Sequence, residues 1–402
     1  MLQILNKKAP MEYRRFGKTE KHLSVITLGG MRFKHAWDNP RNLIPTDTLE
    51  QCRDVVQLAL NAGINHIETA WGYTKSETVY GKVLNEELKI PRESYHLMTK
   101  GHTMTGPEMR RMVESQLKAL QTDYVDFYGW HGMNNEELRQ QACTTNGPVE
   151  ELHILKEEGV IRHIGFSTHA PRETIISAIE TGLFEFVNLH YYYFNQQNEK
   201  AVAKARERDM GVFIISPNDK GGQLFKAPQK VKEATQPLTP IQWNARFCLK
   251  NPGVNTLSFG MTEASHFEEM KGIFPLQWTE KEQNIKQILE SYLDDDPYSG
   301  YDGFDLQEDP SGINIPEILR LRKLWKCYDM NDYGRYRYKI FGNNSHWLPG
   351  AFAFDKNIEK IDLSKIPEGI PVKKMLAEAH HEFYVPKYKM ALGKVKRKIL
   401  NN

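Results

Sequence analysis

Cysteine is scarce in this chain of 402 residues, and the cysteines that are present stand far apart. The chain holds four of them, and no Cys-x2-Cys pair occurs among Cys52, Cys143, Cys248 and Cys327. The usual Cys-rich zinc and iron–sulfur sites need closely spaced thiolates, so this spacing excludes them. Isolated cysteines also favour a reducing compartment, and we expect a cytoplasmic protein.

Long apolar runs and an excess of one charge are missing as well. No stretch approaches the roughly 18 apolar residues that a membrane span requires, and Met1 to Pro10 lacks the apolar run of a secretory signal. The 53 Lys and Arg residues nearly balance the 51 Asp and Glu residues. That balance gives no electrostatic footprint for nucleic acid. We therefore expect neither a membrane span nor a nucleic-acid partner.

The composition is that of an ordinary globular protein. Apolar residues make up 40% of the chain and charged residues 26%, which provides a substantial core and argues against wholesale disorder. At roughly 100–200 residues per domain, the length allows one large domain and a smaller second one.

The region from Val25 to about Phe274 repeats a short β-branched or aromatic run, a polar turn and a helical stretch. In the helical stretches apolar residues recur at three- and four-residue steps, and Pro or Gly marks the ends. These stretches include Thr46–Ala62, Glu108–Leu120, Pro148–Glu158 and Pro171–Glu180. The candidate strands are Val25–Leu28, Ile64–Thr69, Tyr95–Thr99, Val125–Gly129, Ile161–Ser167, Phe186–His190, Gly211–Ser216 and Val254–Phe259.

Strands that alternate with helices pair in parallel. Eight such units in about 250 residues match the size of a closed (β/α)8 TIM barrel, the fold class that we predict. An open, doubly wound parallel sheet is the structural alternative. Before the first strand, the segment Tyr13–Thr19 is predicted to form a small hairpin that closes the bottom of the barrel.

Four side chains with useful chemistry follow the carboxyl ends of consecutive predicted strands, where barrel active sites form. They are Glu68, Tyr73, Lys100 and His131. Singly, each has an ordinary structural explanation, such as a Glu68–Lys100 ion pair or a packed loop tyrosine. Together they suit proton transfer to a carbonyl oxygen, because a nearby ammonium lowers the phenol pKa from its usual value of about 10. A nucleophile–base pair and a metal-ligand cluster are not evident, which disfavours hydrolysis.

Several spaced segments in the same order resemble the aldo-keto reductase family, over about residues 13–274. The segments that carry the resemblance are YRRFGKT at 13–19, LSVITLGGM at 23–31, GINHIETAWGYTKSE at 63–77, TK at 99–100, YVDFYGWH at 124–131 and IRHIGFST at 161–168. The resemblance implies a TIM barrel that binds NADP(H) without a Rossmann domain and reduces aldehydes and ketones. It implies that Tyr73 is the general acid, Lys100 its partner and His131 the orienting residue. Glu68 stands where the family has Asp, and the added methylene requires a rearranged Lys100 contact.

The same resemblance implies a set of cofactor-binding positions. Met31 and its neighbours would line the nicotinamide, Ser167 would bind the carboxamide, and Thr168 and Asn188 stand where the family has Asn and Gln. The loop that begins at Ser216 would contact the pyrophosphate. The complete set is Gly30, Met31, Arg32, Ser167, Thr168, Asn188, Ser216, Pro217, Asn218, Gly260, Met261, Thr262, Glu263, His266 and Glu269.

The choice between NADP(H) and NAD(H) stays open at this point. The segment 260–270 aligns with the family's adenosine-phosphate clamp, where a basic residue usually meets the 2′-phosphate. Here Glu263 and His266 occupy the nearby positions. A carboxylate repels a phosphate dianion and favours a ribose hydroxyl, so NADP(H) follows from the family and NAD(H) from Glu263.

The last third of the chain resembles the ferredoxin-like tail of some aldo-keto reductases, so we divide the chain into a barrel at 12–285 and a mainly helical domain at 290–402. None of the eight positions aligned with cluster ligands is Cys, and we expect no iron–sulfur cluster. These positions are Ser299, Asp302, Asp305, Asp309, Lys356, Glu359, Asp362 and Ile366. A hard cation at the aspartates is an alternative to a solvated acidic loop. The basic tail Lys387–Lys398 is either a frayed terminus or a contact for an anionic partner.

Two functions compete. The first is an NAD(P)H-dependent reductase of aldehydes or ketones, whose small-molecule carbonyl substrate enters a pocket shaped by Met31, Trp71, Trp130 and the 133–147 loop. Aromatic pocket residues favour an apolar or ring-bearing carbonyl. The second is a catalytically weak nicotinamide-binding regulator or redox sensor that contacts a protein partner through its C-terminal domain. Glu68, the altered clamp and the missing cluster ligands motivate this alternative.

Overall fold

The computed structural model describes residues 11–38, 40–219, 222–307, 309–338 and 353–385. The chain forms two compact units, one of residues 1–225 and 237–279 and the other of residues 226–236 and 280–402. Whether these units are the predicted domains 12–285 and 290–402 stays a prediction. None of the described helices is both long and apolar enough to cross a membrane.

A closed parallel barrel forms the core of the first unit. In the order β3 to β10 each strand pairs with the next, and β10 pairs with β3 to close the ring. This closure confirms the (β/α)8 barrel and excludes the open sheet. All eight predicted strands are present, with small differences at their ends. The strands are β1 (Tyr13–Arg15), β2 (His22–Ser24), β3 (Ile26–Gly29), β4 (His66–Glu68), β5 (His96–Gly101), β6 (Val125–His131), β7 (Ile161–Ser167), β8 (Phe186–Leu189), β9 (Gly211–Ile214) and β10 (Thr256–Phe259).

Amphipathic helices follow the barrel strands and pack their apolar faces inward. Local sequence sets their ends: α9 begins with a capping box in which Thr239 and Gln242 satisfy each other's backbone N–H groups. The helices are α1 (Thr46–Asn61), α2 (Ser76–Gly81), α3 (Gly106–Leu120), α4 (Glu136–Ala142), α5 (Pro148–Glu157), α6 (Arg172–Glu180), α7 (Glu199–Glu207), α8 (Gln229–Thr235), α9 (Pro240–Lys250), α10 (Ala264–Lys271), α11 (Glu280–Ser291), α12 (Ile315–Tyr328), α13 (Asn331–Tyr338), α14 (Asp355–Ile358) and α15 (Val372–Phe383).

A hairpin lies at the amino end of the barrel, but it is longer than the predicted segment 13–19, because its second strand, β2, follows Thr19. Strands β1 and β2 pair antiparallel, and the turn between them inserts Phe16, which is fully buried. Its ring lies 5.3 Å from that of Phe127 and 5.7 Å from that of Phe186. Gly17 has a φ of +53°, and an ideal Cβ on it would lie 2.4 Å from the Met210 backbone, so no side chain fits there.

A neutral histidine lies in the barrel interior. His66 on β4 is fully buried, and its Nδ1 lies 2.8 Å from the Thr27 hydroxyl. Its Nε2 has no hydrogen-bond partner among the described residues. Burial lowers the pKa of His66 well below its usual value, because a charged ring would lose its hydration.

We predict that His66 makes the fold sensitive to mild acid. Below pH 6.5 the unfolded chain protonates His66 and the folded chain does not, so the free energy of unfolding falls as pH falls. His66→Phe removes this linkage. Between pH 6.5 and 5.5 its free energy of unfolding should therefore fall by about 1 kcal/mol less than that of the parent chain. In this variant the Thr27 hydroxyl loses the imidazole but keeps its hydrogen bond with the Thr256 hydroxyl. Urea unfolding at both pH values measures the effect, with the exposed His22→Gln variant as control; equal losses in parent and His66→Phe would contradict it.

The second unit is helical and packs around α12. One buried carboxylate of this unit is paired with two cations: Glu317 accepts hydrogen bonds from Arg320 Nε at 2.7 Å and Arg337 at 3.1 Å. Burial opposes ionisation of Glu317, yet the two guanidinium groups hold its pKa at about 2. The predicted helices 316–327 and 371–381 correspond to α12 and α15.

One aspartate links the two segments that align with cluster motifs. Asp309 is buried, and its carboxylate accepts from the backbone N–H groups of Ser311 and Asp362, each at 2.9 Å. Within the described residues no group of three or more His, Cys, Asp or Glu could hold a metal ion. The alternative of a cation at the acidic loop therefore has no geometric support. The basic tail 387–398 lies outside the described residues.

Candidate active site

The barrel brings the four predicted reactive residues together at the carboxyl ends of three neighbouring strands. Glu68 ends β4, Lys100 lies next to the end of β5, and His131 ends β6. Tyr73 follows Glu68 in the short 3₁₀ turn Trp71–Tyr73. Because the strands are parallel neighbours, their carboxyl ends meet at one side of the barrel.

Glu68 is the centre of this cluster. Its Oε1 accepts hydrogen bonds from the Lys100 ammonium and, at 3.1 Å, from the Tyr73 hydroxyl. The ammonium also donates to the Thr69 carbonyl at 2.7 Å. The Glu68 and Lys100 side chains are only 3% and 1% exposed. A buried ion pair with further hydrogen bonds is the arrangement that tolerates such desolvation.

The electrostatics differ from the expectation that Lys100 lowers the phenol pKa. Burial, together with the negative charge of Glu68, raises the pKa of Tyr73 well above 10. Burial likewise lowers the pKa of Lys100, against the pull of Glu68. The Lys100 nitrogen lies 5.0 Å from the centre of the Tyr73 ring, but the hydroxyl points to the carboxylate. Glu68 thus holds the phenol in its protonated form.

His131 completes the cluster from the other side of the tyrosine. The His131 and Tyr73 rings are perpendicular, with centres 6.0 Å apart. The turn at Gly72 also packs on this ring, since an ideal Cβ there would lie at the ordinary contact distance of 3.4 Å from His131 Cε1. A carbonyl oxygen near both rings could receive hydrogen bonds from a phenol and an imidazole.

We predict that removing the Glu68 charge destabilises the fold. Glu68→Gln leaves the Lys100 ammonium buried without its counter-ion, and breaking such a pair typically costs about 3–5 kcal/mol. Urea unfolding at pH 7 measures the loss. Adding Lys100→Met to Glu68→Gln should recover part of it, because the uncompensated charge is then gone. The exposed Glu263→Gln variant is the control, and a Glu68→Gln chain as stable as this control would contradict the prediction.

The cofactor-binding positions predicted next to β3 lie at the same end of the barrel. Gly30 donates its N–H to the Glu68 carbonyl at 2.8 Å. A Cβ at Gly30 would come within 2.4 Å of the Ser76 hydroxyl, so only glycine fits. The Arg32 side chain extends between Gly222 and Gly260, with its nitrogen 2.9 Å from an ideal Cβ of Gly222. Met31 connects the two and is half-buried.

The predicted carboxamide-binding residues lie at the end of β7, directly after it and within β8. The Thr168 hydroxyl donates to the Met133 carbonyl at 2.6 Å and accepts from Ala170 N–H at 2.9 Å, so it is used within the protein. Ser167 is buried at the end of β7. The Asn188 Oδ1 is buried and has no hydrogen-bond partner among the described residues. Asn134 was not predicted, because a single loop Asn carries no pattern that would reveal it. Its buried Nδ2 also lacks a hydrogen-bond partner within the described part of the chain.

The loop after β9 contains the predicted pyrophosphate contacts. Ser216 has a φ of +52°, and the Pro217 carbonyl accepts from Asn244 Nδ2 at 2.6 Å. The Asn218 Oδ1 is buried without a partner among the described residues. The hydrogen bond from Asn244 connects this loop to α9.

The predicted adenosine-phosphate positions follow β10, beginning with Gly260 and Met261. His266 Nδ1 accepts from the Thr262 N–H at 3.1 Å, and burial lowers the pKa of His266. The Glu263 side chain is 65% exposed and lies 3.8 Å from His266 Nε2. The Glu269 carboxylate accepts from the Thr239 hydroxyl and so contributes to the start of α9.

The two tryptophans assigned to the substrate pocket have different environments. Trp130 is fully buried, and its ring packs on His102 at 4.5 Å, so it belongs to the core. Trp71 is half-exposed, and the Arg41 guanidinium lies 4.0 Å from its ring. Arg41 and the buried Lys75, whose Nζ has no hydrogen-bond partner among the described residues, were not predicted.

The fold and site define a class: a TIM barrel whose mouth carries a phenol, an ammonium, a carboxylate and an imidazole, suited to proton transfer. The family model "Aldo/keto reductase family" matches residues 25–290. Since this match spans more than half of the chain, the protein belongs to the aldo/keto reductase family.

Individual relatives agree with this assignment. The chain is 25% identical over 244 residues to L-galactose dehydrogenase of Arabidopsis thaliana, covering 53% of this chain and 75% of that one. It is 27% identical over 193 residues to the NADH-specific methylglyoxal reductase of Escherichia coli, covering 42% and 57%. An aldo-keto reductase from Klebsiella pneumoniae, solved in complex with NADPH, superposes with a TM-score of 0.57 at 19% identity, covering 70% and 95%. This last likeness shows the shared fold.

Proposed function

We propose that this protein is an NAD(P)H-dependent oxidoreductase that reduces aldehydes or ketones to alcohols. The observation that carries the proposal is the contact between Tyr73, Glu68 and Lys100, with His131 beside the phenol. Family membership and relatives named as dehydrogenases and reductases support it. A barrel mouth is also where this fold carries out chemistry.

A nicotinamide cofactor, when held at the barrel mouth by Ser167, Asn188 and the backbone after Ser216, would supply the hydride for the carbonyl carbon. Tyr73 gives its hydroxyl proton to the carbonyl oxygen, which yields the alcohol and leaves a phenolate. To do so the hydroxyl turns from Glu68 towards the substrate. His131 orients the carbonyl oxygen by a hydrogen bond, and the Lys100 charge stabilises the phenolate until it regains a proton from water.

The residues at the barrel mouth fit a dinucleotide of this kind. The Asn188 Oδ1, which has no partner among the described residues, can accept a hydrogen bond from the carboxamide N–H of the cofactor. A buried acceptor without a donor is costly, so a ligand that supplies one is favoured there. Gly30 and Gly260 are further proposed contacts, and a Cβ on them would meet Ser76 and Arg32, respectively. Ser167 and the backbone after Ser216 are the remaining proposed contacts.

The cofactor preference follows from the charge at the end of β10. Glu263 is exposed beside the proposed adenosine position and disfavours the 2′-phosphate of NADPH. We predict that Glu263→Lys tightens NADPH binding about tenfold or more relative to NADH. A tenfold change in the ratio of the two dissociation constants corresponds to about 1.4 kcal/mol of binding free energy, which the reversal of one charge can supply. Titration of protein fluorescence with both cofactors gives the two dissociation constants. The exposed Glu268→Lys variant controls for net charge, and an equal change for both cofactors would reject this role for Glu263.

We predict that Tyr73→Phe lowers turnover at least about 100-fold and leaves cofactor binding intact. The variant loses only the hydroxyl that delivers the proton, and general acid catalysis typically contributes about 10²–10⁴-fold. Stopped-flow decay of bound NADPH and NADH, mixed with aldehydes, ketones and quinones, measures turnover. Tyr13→Phe, which alters an exposed hairpin hydroxyl, is the matched control. Undiminished decay in Tyr73→Phe would disprove the assignment.

The hydrogen bond from the Tyr73 hydroxyl to Glu68, together with the raised pKa of Tyr73, favours a second candidate, a nicotinamide-binding redox sensor acting through the helical unit. A phenol that holds its proton so firmly is a weak acid. Tight cofactor binding with no decay for any carbonyl would support the sensor. The proposal has four further parts. They are a cytoplasmic location, a ferredoxin-like second unit, the absence of an iron–sulfur cluster and a ring-bearing substrate.

A further inference from the structure

A second buried carboxylate lies beside the reactive cluster and has no role in the proposed reaction. Glu77 is on α2, four residues after Tyr73, and is only 2% exposed. Its Oε1 accepts from the Thr99 hydroxyl at 2.6 Å and from Gln116 Nε2 at 2.5 Å. Thr99 precedes Lys100 on β5, so Glu77 is tied to the strand that presents the ammonium.

The hydrogen bonds around Glu77 continue to the backbone of Lys100. Gln116 Nε2 also donates to the Lys100 carbonyl at 3.1 Å, and Gln116 Oε1 accepts from the Tyr128 hydroxyl at 2.7 Å. Gly101 leaves the space for this network, since a Cβ there would lie 2.3 Å from the Tyr128 oxygen. Helix α3 and strands β5 and β6 thus converge on one carboxylate.

The charged groups that face Glu77 are cationic. Lys100 on β5 and Arg41 in the loop after β3 both act on its carboxylate, and Tyr128 on β6 is the other titratable neighbour. Burial nevertheless raises the pKa of Glu77 to about 7. The Glu77 carboxyl group therefore changes charge in the neutral range.

We propose that Glu77 is a positioning residue for Lys100: its hydrogen bonds fix the β5 segment that carries the ammonium, and its carboxylate sets how much of the Lys100 charge reaches Tyr73. The inference rests on the proposed reductase function. When Glu77 is ionised, two carboxylates share one ammonium, and the phenolate left by proton transfer is less stabilised.

The reduction step should therefore slow as pH rises through about 7. With Glu77 neutral, Lys100 stabilises the phenolate more fully; with Glu77 ionised, it does so less. Glu77→Gln keeps an oxygen that accepts from Thr99 and Gln116 but cannot ionise. We expect its single-turnover rate at pH 8.5 to exceed that of the parent about three- to tenfold, with a smaller difference at pH 6.

The experiment is stopped-flow oxidation of bound NADPH by a neutral aromatic aldehyde from pH 5.5 to 9. In the parent we expect an inflection near pH 7, and in Glu77→Gln its loss. Thr99→Val removes a hydrogen bond to the ionised carboxylate but no charge, so the inflection should move to higher pH. A purely structural role would not move it.

A readout without turnover tests the ionisation itself. Between pH 4.5 and 7 the folded chain keeps the Glu77 proton that the unfolded chain has released, so stability falls as pH rises through this window. Glu77→Gln lacks this loss. Its unfolding temperature relative to the parent should therefore be higher at pH 8 than at pH 5.

The outcomes separate the inference from the function on which it rests. An inflection near pH 7 that persists in Glu77→Gln overturns the inference, and so does a uniform loss of rate at every pH. A parent chain that binds NADPH and reduces no carbonyl at any pH overturns the reductase proposal itself, and the inference with it. Loss of the inflection in Glu77→Gln, together with its upward shift in Thr99→Val, supports the inference.

Discussion

The buried ion pair between Glu68 and Lys100 is the interaction on which the site depends. Two charges removed from water are tolerated only when each has further partners, and here Thr69 and Tyr73 supply them. Since the partners come from β4, β5 and the turn between, the pair also fixes how these elements meet. The tyrosine is therefore held by electrostatics as much as by packing.

Much of this arrangement could be predicted from the order of strands and turns. A regular β/α repeat leaves few topologies, because parallel strands need crossovers and eight such units close into a ring. Closure then places every strand end at one mouth, so Glu68, Lys100 and His131 had to be neighbours. Helix and strand ends differ slightly because local capping decides them.

The sequence could not reveal directions of individual side chains. The residue types alone suggested that Lys100 would acidify Tyr73, but the longer side chain of Glu68 brings its carboxylate to the hydroxyl as well. Glu77 lay within a recognised segment, yet its burial depends on α3 packing against β5. Such contacts join residues far apart in the chain and leave no local pattern. In the helical unit only the helices could be predicted. The hydrogen bonds by which Asp309 joins two distant segments leave no periodic pattern in the sequence.

The hairpin at the base of the barrel has a consequence for how the chain is completed during synthesis. Arg14 donates to the carbonyls of Val254 and Leu249, about 240 positions later, and β3 must pair with β10 to close the ring. Contacts of such separation form late because loop closure opposes them. Strand β3 leaves the ribosome early and stays unpaired on one side until β10 has been synthesised. Until then the seam between β3 and β10 is an open edge. The nascent barrel needs protection from pairing with other chains for that interval.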